Sequence, residues 1–395
     1  MKGSNMKKFV IILLAVCLLI GGAAMYFFGK GEAAVEKDET AVSAEEMLNI
    51  SQIDLEAMYA LHGKDDTVAT INGEEIPWSE YYYWLASNAA QVQNYITQMA
   101  YYGMEVKWDD LIEEGGSSYA EYVLSSAESS MLRMHTIEQV SAEHNVTLTD
   151  EDRTELAETL KSDIAATCGE DATEEAFKAF LEENYLDMDF YTRLNSSNHL
   201  YQNGFTVIFG ENGEKVSDEE ALKYIADNGL MNANHILFMT IDPETREELD
   251  EAKTAEKKAK ADQVYAELAA IEDTEELLKR FRELKDELDE DTGKVSYPDG
   301  YVFGDGEMVP EFENAVKSLD VNCVCEPVKS SYGYHIIIRL ADDPDKTIEF
   351  SSSGTPLSAR TKCANEAYGK LMQEKMDSLK VEYLIDSVDI LSFVK

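Results

Sequence analysis

The sequence predicts an α+β protein made of an N-terminal membrane helix, a mostly α-helical region, a small unit in which strands appear, and a return to helix. Three observations carry this. Residues 9–28 form an uncharged apolar run. Residues 79–227 read as one capped helix after another. Beyond Gly229, two compact apolar runs at 234–239 and 334–340 bracket further helices in the manner of buried strands.

As a helix, the run at 9–28 spans about 30 Å, the thickness of a bilayer's hydrocarbon core. Lys2, Lys7 and Lys8 precede it, which places the N-terminus in the cytoplasm and the bulk of the chain outside. A cleaved signal peptide has an apolar core of only about 7–15 residues. This run is longer and ends in Met25, Tyr26, Phe27 and Phe28, so residues 1–30 are expected to be an uncleaved signal-anchor. A lipoprotein is the rival reading, since Leu14-Ala15-Val16-Cys17 resembles a lipobox. Val16 is large for that position and apolar residues continue past Cys17, which reads better as a small hydrophobe in a membrane helix.

The 395 residues leave room for two or three domains. With 44% hydrophobic and 10% aromatic residues the chain is not disordered, despite a net charge of -44. No basic stripe offsets the acidic field, which excludes nucleic acid as a partner. Five scattered Cys make no disulfide framework, and no metal site is expected in the absence of a CxxC or His-rich pair. The first thirty residues hold four Lys and no acid, so the remainder carries -48. Such a surface stays soluble and self-repelling, and it would also suit basic unfolded clients.

Residues 31–66 are acidic and weakly periodic, and read as a tether with a short helix near 52–62. A strand at 67–71, the turn Asn72-Gly73 and a return at 74–76 make a hairpin. Ser79 is placed to cap a helix running to Tyr102. Further helices are expected at about 118–145, 149–166, 173–184 and 187–201, with Ser217 and Glu220 opening another to about 227. After the strand at 234–239 come helices at about 247–271, 274–287 and 310–319, then the strand at 334–340. A helix at about 358–379 precedes an apolar-alternating tail. The expected domains are 1–30, 31–66, 67–228, 229–343 and 344–395.

The unit at 229–343 resembles the parvulin family of peptidyl-prolyl isomerases. The resemblance lies in Asn234-His235-Ile236-Leu237, in the segment from Phe303 through Gly306, Met308, Val309, Pro310 and Phe312 to Leu319, and in Pro327-Val328-Lys329 followed by Gly333-Tyr334-His335-Ile336-Ile337. The hairpin Val68-Ala69-Thr70-Ile71-Asn72-Gly73-Glu74-Glu75-Ile76-Pro77 and the helix after it resemble the start of exported foldases related to PrsA and SurA. That resemblance implies a parvulin domain inserted into an α-helical chaperone domain, which the C-terminal helix completes.

It further implies isomerisation of X-Pro bonds in newly exported or unfolded proteins, without metal or cofactor. Carried over by position, Met308 and Phe312 would form the apolar pocket for the proline ring, on one helix face if the helix begins at 308. His235 and His335 match the family's paired histidines. Asp291 falls where the family has Cys or Asp, although Asp289 is the match if the register slips by two. Phe303 and Tyr332 would line the rim. Each has a plainer reading: core packing for Met308 and Phe312, structural support for the histidines, a solvated charge run for Asp291.

Two features depart from the family. Its Gly-Gly-x-Leu-Gly run before the Phe is replaced by Tyr297-Pro298-Asp299-Gly300-Tyr301-Val302, which keeps one Gly and puts the isomerase rate in question. The stretch 241–248 is acidic, whereas selection of phospho-Ser/Thr-Pro needs a basic cluster. Cys323 and Cys325, two apart, are expected to be small buried thiols, because a bridge between such neighbours is strained. Aromatics at 81–84, 95, 101 and 102 are expected to be core more than client groove. The leading expectation is a membrane-anchored extracytoplasmic foldase. The alternatives are a binding-only chaperone with an inactive parvulin domain and, further off, a tethered solute-binding protein.

Overall fold

The computed structural model describes residues 51–395, so the expected membrane helix, Cys17 and most of the tether lie outside the described residues. Among the described residues no helix is long and apolar enough to cross a membrane. In chain order the first elements are α1 (Leu55–Tyr59), β1 (Thr67–Ile71), β2 (Glu74–Pro77), α2 (Trp78–Tyr101), α3 (Tyr119–His144), α4 (Asp150–Cys168), α5 (Glu174–Glu183) and α6 (Met188–Phe209). Then follow α7 (Asp218–Asp227), β3 (Met231–Met239), α8 (Glu251–Ala269), α9 (Thr274–Leu288), β4 (Tyr301–Phe303) and α10 (Pro310–Ser318). The last are β5 (Val328–Lys329), β6 (Gly333–Arg339), β7 (Thr347–Phe350), β8 (Pro356–Ser358), α11 (Ala359–Ser378) and β9 (Val381–Tyr383). The fold is mixed helix and sheet.

Two units divide the described residues, one made of 51–208 together with 369–395, the other of 209–368. The boundaries drawn from the sequence at 228/229 and 343/344 therefore fall inside the second unit, which takes in α7 and the β7–β8 hairpin. Arg360 fixes this arrangement: its guanidinium donates to the Val216 carbonyl and pairs with Asp218 and Asp345.

In the first unit β1 and β2 form the expected hairpin. Asn72 and Gly73 both take positive φ, 53° and 86°, as a two-residue turn matched to strand twist requires. The C-terminal strand β9 pairs antiparallel with β1, so the chain's end completes its first sheet. Helix α2 starts at Trp78 without a side-chain cap, and Ser79 does not serve as one. The loop before the hairpin does the work instead, since Trp78 N donates to Asp66 O and Ser79 N to Lys64 O. Tyr81, Tyr82, Tyr83 and Trp84 are all buried in the unit's core, Tyr95 packs against Tyr119 with the rings tilted, and of this set only Tyr101 and Tyr102 stand exposed. The run at 81–84 is core. The buried Glu80 carboxylate is held by His135 (2.7 Å) and Arg193 (2.9 Å), and Arg193 also forks onto Glu138.

The second unit is built on a four-stranded antiparallel sheet of order β4-β3-β6-β5. Successive side chains on a strand point to opposite faces. Ile236 and Phe238 of β3, with Ile336 and Ile338 of β6, pack under α8 and α9. Ala233 and Ile337 pack on the other face, with Phe303, Phe312 and Val316. Gly300, just before β4, has φ +91°, and a Cβ there would lie 2.4 Å from the Ala233 carbonyl oxygen. Gly300→Ala is expected to cost at least about 1–3 kcal/mol, read as a lower urea midpoint of the Ile236 and Ile336 methyl signals.

Candidate active site

The two histidines share the sheet face that carries α10. In the β3–β6 register His235 stands opposite Ile337 and Leu237 opposite His335, which makes the imidazoles diagonal neighbours on one face. Their Nδ1 atoms are 3.0 Å apart and their rings lie nearly parallel, 5.1 Å between centroids. Both side chains are buried.

Asp291 reaches this pair because the chain leaving α9 is laid along β3. Leu237 N donates to the Asp289 carboxylate, Glu290 N to the Leu237 carbonyl, and Met239 N to the Glu290 carboxylate. Asp291 then follows beside His235, its Oδ2 3.0 Å from His235 Nε2. Its other oxygen accepts from Gly293 N at 2.9 Å and caps a short 3₁₀ turn. Asp289 faces the backbone instead, its Oδ1 accepting from Leu237 N at 2.8 Å and Asp291 N at 3.1 Å.

Two further members were missed in the sequence. Ser330 Oγ lies 2.6 Å from His335 Nε2 and accepts from Tyr332 N. The signal was available in the tight β5–β6 connection, which brings residue 330 beside residue 335. The Tyr301 hydroxyl donates to Asp291 Oδ2 at 2.6 Å, and nothing in the sequence pointed to it.

Electrostatics follow burial and these bonds. Burial first, and then the neighbouring His235, push the His335 imidazole down to about 3, so it is neutral at pH 7. Burial alone would raise the Asp291 carboxyl, but bonds from His235, Tyr301 and the Gly293 amide outweigh it and hold it below the ordinary carboxylate range. Burial and the bond to Asp291 raise the Tyr301 phenol, which stays protonated. Behind the pair, Lys285 is buried against Asn234 Oδ1 (2.7 Å), and burial lowers its ammonium.

The expected pocket residues differ from the sequence reading in two respects. Phe312 is buried, its ring meeting Phe303, His235 and His335 edge-on at 5.7, 5.3 and 5.7 Å. Met308 is half-buried against the same cluster but lies outside the helix. Pro310 takes the first helical position, which its fixed φ and missing N–H favour, so the expected i, i+4 pairing does not apply. Phe303 is only 1% exposed and lies in the core, where it supports Phe312 and cannot line a rim. Tyr332, 42% exposed, stands at the edge. Cys325 is half-buried and Cys323 exposed, both as free thiols. Among the described residues no group of three or more His, Cys, Asp or Glu has the arrangement of a metal site.

An antiparallel sheet with paired histidines, a carboxylate and an apolar wall beside them defines a parvulin-type domain. Residues 235–341 match the family model of the rotamase, or PPIC-type PPIASE, domain, and the chain as a whole is similar to PrsA and SurA foldases. It is 26% identical over 324 residues to the foldase protein PrsA of Caldanaerobacter subterraneus subsp. tengcongensis, covering 80% of this chain and 84% of that protein. The chaperone SurA of Nitrosococcus oceani is 29% identical over 83 residues, 21% of this chain and 20% of that protein. The crystal structure of PrsA from Bacillus subtilis aligns at 19% identity over 72% of this chain and 98% of that one, with a TM-score of 0.27.

Proposed function

We propose that this protein is an extracytoplasmic foldase, anchored in the membrane through residues 9–28, whose parvulin-type unit catalyses cis/trans isomerisation of X-Pro bonds. Its helical unit would hold unfolded or newly exported clients. The observation that carries the reading is the Asp291–His235–His335–Ser330 chain set beside Phe312 and Met308. Resonance keeps the X-Pro amide planar behind a barrier of about 18–20 kcal/mol, and uncatalysed exchange takes tens to hundreds of seconds. Lowering it needs no covalent step. An apolar wall grips the proline ring, water leaves the amide, and the twisted state gains over both planar ones. A neutral His335 suits that task, since a charge under the amide would hold water there.

A binding-only chaperone is the second reading. It is favoured by the altered glycine stretch, in which Tyr301 brings a ring and hydroxyl to the site. A client protein whose refolding is limited by one X-Pro bond separates the two. Loss of its slow phase with wild type, and its return with Met308→Ala, is the expected result. Suppressed aggregation with an unchanged slow phase would overturn catalysis and leave binding.

A further inference from the structure

We infer that Tyr301 is a positioning residue which sets the direction of hydrogen donation along the chain Asp291–His235–His335–Ser330. A carboxylate has no hydrogen to give, so the Tyr301 hydroxyl donates to Asp291 Oδ2, and His235 Nε2, on the same oxygen, must also carry hydrogen. With Gly293 N on the other oxygen, three donors satisfy the carboxylate.

The two Nδ1 atoms, 3.0 Å apart, share one hydrogen. Either His335 supplies it, or a doubly protonated His235 does. A carboxylate already holding three donors pulls weakly on His235, so the hydrogen belongs to His335 Nδ1. His335 Nε2 is then an acceptor, the Ser330 hydroxyl donates to it, and Ser330 Oγ accepts from Tyr332 N. Every member is satisfied once, in one direction.

Gly293 makes the arrangement possible. A Cβ at this position would lie 2.1 Å from the Tyr301 hydroxyl oxygen, so the hydroxyl occupies space that only glycine leaves open. The ring itself is held by Tyr297, 5.0 Å away, and stands perpendicular to His235 at 5.8 Å.

Removing the hydroxyl while keeping the ring, as in Tyr301→Phe, strengthens the pull of Asp291 on His235. His235 then takes a proton from solvent and supplies the shared hydrogen, and the hydrogen of His335 moves to Nε2. The catalytic meaning of this rests on the isomerase reading, but the test does not.

The full chain, labelled with ¹⁵N-histidine and assigned by difference with His235→Gln and His335→Gln, reports which ring nitrogens carry hydrogen at pH 7. Wild type is expected to show His235 Nε2–H and His335 Nδ1–H. In Tyr301→Phe the His335 tautomer ratio is expected to shift toward Nε2–H by about tenfold, as loss of a hydrogen bond to a charged group implies. Gly293→Ala, whose Cβ would meet the hydroxyl at 2.1 Å and the Asp291 carboxylate oxygens only at 3.3 Å, is expected to displace the hydroxyl and shift the ratio the same way. Unchanged tautomers in both folded variants would overturn the assignment. Shifted tautomers in a protein that does not accelerate X-Pro exchange would overturn the isomerase reading and leave Tyr301 in this role.

Discussion

Phe312→Ala is expected to destabilise the second unit by about 3–5 kcal/mol and to abolish any acceleration of X-Pro exchange. The ring is 3% exposed and lies against Phe303 below and both imidazoles beside it. Truncation removes its transfer energy and leaves a cavity that strands β3, β4 and β6 cannot close without shifting the histidines. Trp78, Trp84 and Trp108 all lie in the first unit, so tryptophan fluorescence is blind to the loss. Urea titration followed by the Ile236 and Ile336 methyl signals reads it. A midpoint within error of wild type would mean that the ring does not support this core.

Acid is expected to weaken the same unit through His335. Its imidazole is pushed down to about 3 in the fold, against an ordinary value of 6.5. Between those values the unfolded chain binds a proton that the folded one refuses. Stability is therefore complete above about pH 6.5, falls as pH drops toward 3 and levels off below. The whole interval is worth roughly 4–5 kcal/mol. Asp291, held low in the fold, adds a loss of the same sign below the ordinary carboxylate range. Relief of repulsion on a chain of charge -44 acts in the opposite sense, so the contribution must be isolated by difference. His335→Gln is expected to be less stable than wild type at pH 7, and that gap is expected to shrink by roughly 3 kcal/mol on reaching pH 4. Parallel curves would show that His335 takes its proton in the folded state as readily as in the unfolded one.

Much of the fold was legible because local signals agreed with it. The Asn72-Gly73 turn, the capping box at Ser217 and the compact apolar runs of β3 and β6 appear where their chemistry requires. The histidine pair was legible through the family resemblance, and the strand register then sets both on one face of the sheet as diagonal neighbours. What escaped depended on partners distant in sequence or on backbone detail. The start of α2 is satisfied by carbonyls of the 64–66 loop, not by Ser79. Met308 was separated from its helix by the preference of Pro310 for the first turn. Phe303 looked like rim because its depth depends on α10 packing over it. Tyr301 and Ser330 joined the site through a loop path and a tight hairpin, which residue type alone does not reveal.

Turnover of X-Pro bonds at the His235–His335–Phe312 face of the second unit can be read by NMR exchange spectroscopy. Unphosphorylated peptides varied before the proline would be followed with and without the folded protein. Cis/trans exchange faster than the uncatalysed rate is expected, with a loss of about tenfold or more in Met308→Ala and His335→Ala. Exchange at the uncatalysed rate across every peptide, from protein whose Ile236 and Ile336 methyl signals show it folded, would contradict it.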